Sequence, residues 1–286
     1  MTEGSFDSLI YGGARMTARQ AERIGITVSC VVALFLVSPL LVEVRLDIPL
    51  EAFGSPLHIG ISRELLVGVL AGAISWAGAQ SLYVLHPEYQ PGVRVYSHCI
   101  LPAMTAVVAT VFWQRQTGIP VEGRLVLAAS LGLLLSLVML GQYAALTGDS
   151  AGAIRLRTIL SVLSLATAFY LWTVLYATRV RSLLATPGAF LIAAALAIDL
   201  LQYEAASEWR TVRAALVIGL VVAECAWALN FGRLSPLEAG FFLLMVSYVT
   251  VGLARRHFQG ALTWRAVGEH GLMVLLLYLV MRRFGF

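Results

Sequence analysis

The chain contains no lysine: all 20 of its basic residues are arginine. That absence removes chemistry built on an ε-amine, including retinal and pyridoxal Schiff bases and the phosphate loop of nucleotide-driven pumps. Aspartate is scarce too, limited to Asp7, Asp47, Asp149 and Asp199, and no two of them form the paired motif of prenyl or phosphatidyl-alcohol transferases. There is no G-x-S-G of a rhomboid-like serine protease, no H-E-x-x-H, and no pair of histidines one helical turn apart. The three cysteines, Cys30, Cys99 and Cys225, each fall inside an apolar segment, which argues against a disulfide framework or a zinc site. Charged residues make up only 13% of the chain, against about 25% in soluble domains.

What is present is apolar sequence. Of 286 residues 59% are hydrophobic, and the mean hydropathy is +0.83. A water-soluble chain of this length needs more polar surface to cover itself. Nine apolar segments stand out, at residues 24–43, 61–85, 95–113, 122–146, 154–178, 183–203, 209–230, 236–254 and 268–281. Most approach the roughly 20 residues that a helix needs to cross a hydrocarbon core of about 30 Å. In lipid the backbone must satisfy its own hydrogen bonds, so the segments are expected to be helices. No repeated alternation of the outer-membrane barrel kind appears. The expected fold is an all-α polytopic transmembrane bundle of about nine segments, or eight if 268–281 is re-entrant, with no soluble domain. Residues 1–23 would form an N-terminal cytoplasmic arm and 24–286 a single helical domain.

Breaker clusters mark connections at 86–92 (HPEYQPG), 116–120 (QTGIP), 147–150 (TGDS) and 186–188 (TPG). The longest connection is 44–60, too short to fold as a domain. Arg15, Arg19 and Arg23 favour a cytoplasmic N-terminus; Arg255 and Arg256 agree after eight spans, whereas Arg179 and Arg181 fall opposite. The net charge of +4 comes from these flanking arginines and does not indicate nucleic-acid binding. Gly68 and Gly72 form a G-x-x-x-G, and Ala215, Gly219 and Ala223 repeat small residues every fourth position. Both patterns read as close-packing helix faces.

Charged groups inside apolar segments are costly, about 2.5–3.5 kcal/mol at a helix centre, and each needs an account. Asp199 and Arg213 lie symmetrically about the connection between the sixth and seventh segments, so an ion pair across that hairpin is expected. Glu224 follows Arg213 by eleven residues, a near-integral number of turns and about 16 Å further along, so Arg213, Glu224 and Trp227 share one stripe. That stripe is expected to face the bundle interior or a wet cavity, as a candidate intramembrane polar site with Asp199. His98, Glu269 and His270 are weaker candidates, since a lone histidine near a span end is more often a hydrogen-bonded boundary residue than a ligand. Glu64 and Glu238 open segments where acids complement the helix dipole. No metal or cofactor is called for.

The acidic first loop, with Glu43, Asp47 and Glu51, resembles that of polytopic lipid-linked glycosyltransferases, which are larger. The run from Glu224-Cys225-Ala226-Trp227-Ala228-Leu229 through Pro236, Tyr248, Gly252-Leu253, Leu262-Thr263 and Glu269 is similar to a family of uncharacterised bacterial multi-pass membrane proteins. The resemblance covers the C-terminal third; it implies the bacterial inner membrane and no mechanism. Three classes of function remain: transport or conduction of a small solute or ion through the bundle; an accessory subunit or homo-oligomer, partnered within the bilayer; and an enzyme acting on a lipid-linked substrate. The balance leans away from an enzyme.

Overall fold

The structure, a computed structural model, describes residues 17–41, 45–52, 55–86, 96–116, 118–146, 151–178, 182–204, 208–232 and 234–263, with residues 265, 268, 269, 271, 272 and 279. Helices dominate it: α1 (Ala18–Val37), α2 (Arg63–Tyr83), α3 (Tyr96–Arg115), α4 (Val121–Ala145), α5 (Ala151–Ala177), α6 (Ser182–Leu201), α7 (Glu208–Leu229) and α8 (Pro236–Phe258). Eight helices among the described residues are long and apolar enough to cross a membrane. Nine of the fourteen residues of the ninth expected segment, 268–281, lie outside the described residues.

Helix ends follow local chemistry. Gln20 Oε1 accepts the Thr17 amide at 2.7 Å, a capping contact that starts α1 at Ala18, inside the arm expected to end at residue 23. Ser235 and Glu238 form a reciprocal capping box at the start of α8, as the acid's position implies. The breaker cluster 186–188 does not end a helix: Pro187 lies within α6. A proline there removes one backbone bond near the helix start, a loss that neighbouring helices can absorb.

The connection read as a loop holds a two-stranded antiparallel hairpin, β1 (Arg45–Ala52) and β2 (Ser55–Ser62). Its register pairs Leu46 with Ile61, Ile48 with Ile59 and Leu50 with Leu57. Apolar residues alternate with polar ones along both strands, and this period of two sets the register. The charges and prolines of the segment masked that alternation in the sequence.

Contacts gather into two compact units, Met1–Leu160 and Ser161–Phe286. In the first, α1 to α4 surround a core that includes Phe35, Leu82, Leu135 and Met139. Phe35 stacks on Trp113, with ring centroids 6.0 Å apart. The G-x-x-x-G is a packing face: a Cβ on Gly72 would lie 3.0 Å from Val107 Cγ2 of α3. In the second, α6 and α7 pack through the small-residue stripe. Ala215 is fully buried, and a Cβ on Gly219 would come within 3.0 Å of the Phe190 ring. Gly240 of α8 sits directly on Thr173 of α5 in the same way.

Candidate functional site

In the second unit the expected Asp199–Arg213 ion pair does not form. Asp199 is 4% exposed; its Oδ2 accepts the Ser164 hydroxyl of α5, and its Oδ1 accepts Gln202 Nε2 at 3.2 Å. The Arg213 guanidinium instead lies over the Trp209 ring, 5.0 Å from its centroid. Gly219 meets Phe190 of α6, and Arg213 is six residues, about 120°, around the helix from it, on a different face.

The same rotation governs the stripe. Arg213 and Glu224 are exposed, and Trp227 is 52% exposed, packing edge-on against Phe231 at 5.2 Å. The three share one face, as their spacing requires, but that face turns outward rather than into the interior. No partner for Glu224 occurs among the described residues.

A groove of about 470 Å³ opens between α7 and α8. Arg210, Arg213 and His257 line one end, and Val217, Val221 and Leu253 line the apolar length beyond it. The Arg210 guanidinium lies 6.0 Å from the Phe258 ring centroid, which holds it at the groove mouth. Arg210 and Arg213 sit in the first two turns of α7, where free amides add positive potential. The Thr250 hydroxyl, also in the lining, donates to Val246 O within its own helix at 2.8 Å, so it leaves the groove surface apolar. Arg255, one turn away, is occupied elsewhere: it donates to Leu200 O at 2.9 Å and pairs with Glu204 at 3.9 Å. The groove therefore joins a cationic mouth to an apolar trough. Arg210 and His257 were not singled out in the sequence; the run Arg255-Arg256-His257 closing α8 was the available signal.

In the first unit, polar side chains gather where α2 and α4 end and α1 and α3 begin. Gln20 Nε2 donates to Tyr143 Oη at 2.6 Å and to Leu85 O at 3.1 Å. The His86 ring meets Tyr143 edge-on at 4.7 Å. His98 is buried, with Nδ1 3.4 Å from Gln142 Oε1. This is a hydrogen-bonded histidine that ties α3 to α4. Arg157 donates to Ala145 O at 3.1 Å, closing the carbonyl end of α4. Among the described residues no three His, Cys, Asp or Glu side chains converge as a metal site would require. Of the weaker candidates, Glu269 pairs with Arg265 at 3.2 Å on an exposed turn, and His270 lies outside the described residues.

No curated protein and no solved structure matches the chain. One family model does, and it spans residues 43–283, well beyond the C-terminal third on which the resemblance rested. With residues 43–283 matched, well over half of its length, the chain belongs to DUF5656, a family of proteins of unknown function.

Proposed function

We propose that the chain is a multi-pass membrane protein that binds a small anionic amphiphile in the α7–α8 groove. The head group would sit between Arg210, Arg213 and His257, and the apolar tail along Val217, Val221 and Leu253. The observation that carries the reading is the groove itself, about 470 Å³ with its cations confined to one end. Guanidinium groups bind carboxylate and phosphate by charge-assisted hydrogen bonds, and an apolar trough open to acyl chains costs little to fill. The reading is compatible with transport of such a solute. Ion conduction through the bundle has less support, because Asp199 is buried against α5 while Arg213 and Glu224 face outward. The bacterial inner membrane, with the N-terminus in the cytoplasm, is the location favoured by the resemblance of the C-terminal third and by Arg15, Arg19 and Arg23.

The test is a titration of the purified chain, in nanodiscs of zwitterionic lipid, with a fluorescent lysophosphatidic acid and its uncharged monoacylglycerol counterpart. Saturable binding of the anionic probe, weakened at least tenfold by Arg210→Ala with Arg213→Ala, is expected. Equal binding of both probes, or no response to the double substitution, would sink the reading.

A second reading rests on Glu224. Its carboxyl stands among exposed Val217, Leu220 and Trp227. Burying it against a neighbouring membrane helix would relieve the cost of facing lipid. On this reading the chain is a subunit of an assembly, with another protein or with copies of itself.

A further inference from the structure

A second cavity, in the first unit and separate from the α7–α8 groove, occupies about 110 Å³ and is lined by Ser38, Arg63, Trp113, Gln114 and Arg124 among others. A single water needs only about 10–15 Å³ of such space, so the cavity admits a polar group of several heavy atoms. Arg63 opens α2 and Arg124 stands in the first turn of α4, so two helix starts bring their guanidinium groups to one place. A cation at a helix start opposes the helix dipole. The acids that usually offset this, Glu64 and Glu122, are exposed and absent from the lining. Arg63 uses one nitrogen on Leu41 O at 3.0 Å; Arg124 has no side-chain partner among the described residues.

Gln114 supplies an independent observation. Its amide nitrogen and its amide oxygen are both shut off from solvent, and neither has a hydrogen-bond partner. Leaving such groups unmatched is unfavourable, and Gln114 is one of the residues that line the cavity. The nitrogen asks for an acceptor and the oxygen for a donor. Trp113, stacked on Phe35, keeps the wall in place.

We propose that this cavity is a phosphate-type oxyanion site. Arg63, Arg124 and the Gln114 nitrogen would donate to the anionic oxygens, while Gln114 Oε1 accepts a hydroxyl hydrogen carried by the ligand. Hydrogen phosphate, a phosphate monoester and a hydroxylated phospholipid head group share that chemistry. The second acceptor demand separates the site from one for a simple unprotonated anion.

The full chain in nanodiscs of phosphatidylcholine is titrated with inorganic phosphate, following tryptophan fluorescence and melting temperature, with Trp113→Phe identifying the reporter. A parallel arm replaces free phosphate with phosphatidylglycerol in the disc. A saturable response in the first arm assigns a soluble phosphate; a shift present in the second arm alone assigns a lipid head group. Arg124→Gln and Gln114→Leu, made separately, should each weaken the response at least tenfold. Arg124→Lys should keep part of it. Helix content by circular dichroism shows that each variant folds. Absence of a wild-type response in both arms, or an equal response in folded Arg124→Gln and Gln114→Leu, would overturn the assignment.

Discussion

Asp199 shows what a buried carboxyl does when its expected cation is elsewhere. The hydroxyl of Ser164 and the amide of Gln202 bring donors to it, and leaving a buried acceptor unmatched costs about 1–3 kcal/mol. Ser164→Ala should therefore destabilise the protein by about 1–3 kcal/mol, read as a fall in detergent melting temperature, whereas Arg213→Ala should leave that temperature nearly unchanged. The reverse ranking would restore an Asp199–Arg213 pair. Glu224 carries the opposite test. Under the subunit reading, Glu224→Leu should reduce the mass of the assembly extracted in mild detergent while the melting temperature holds or rises. An unchanged assembly would remove that reading. The sequence made both residues visible, because charge inside an apolar run is conspicuous. It left Gln20, Gln142 and Gln114 in the background, because an uncharged amide near a span end resembles any boundary residue until its neighbours are known.

Helices and their packing faces were largely legible. Each segment's length and hydropathy are local properties, and the small-residue patterns at Gly68/Gly72 and Ala215/Gly219/Ala223 became interfaces for the reason they suggested: backbones approach where no side chain intervenes. Gly219→Val should destabilise by about 1–3 kcal/mol, the usual range for overpacking, since its Cβ meets both the ring and the carbonyl of Phe190 at 3.0–3.1 Å. Gly25→Ala, with nothing within 4 Å, should instead be neutral or stabilising, because alanine favours helix over glycine by about 1 kcal/mol. Denaturant titration in mixed micelles compares the two, and equal effects would contradict the packing described for α6 and α7. The β1–β2 hairpin was legible in principle. Its alternation is regular, yet Pro49 and Pro56 read as breakers when taken singly.

In both units large apolar side chains remain exposed, among them Val69, Leu133, Leu137, Val162 and Leu191. Exposed apolar side chains along helices this apolar suit contact with lipid or protein. Under the membrane reading the chain should stay in the pellet after an alkaline carbonate wash and need detergent for release; recovery in the supernatant would refute it. By itself the sequence determined where the helices run, which residues share a stripe on each, and which faces are small enough for close contact, since all three follow from spacing along one chain. Only the tertiary structure decided which way each stripe points. In a bundle of helices this apolar, inner and outer faces are alike in composition, so periodicity sets the relative angles of Arg213, Glu224 and Trp227 but not the rotation of α7 as a whole. Packing of α6 against Gly219 sets that rotation, and with it the outward turn of Glu224 and the basic mouth of the groove.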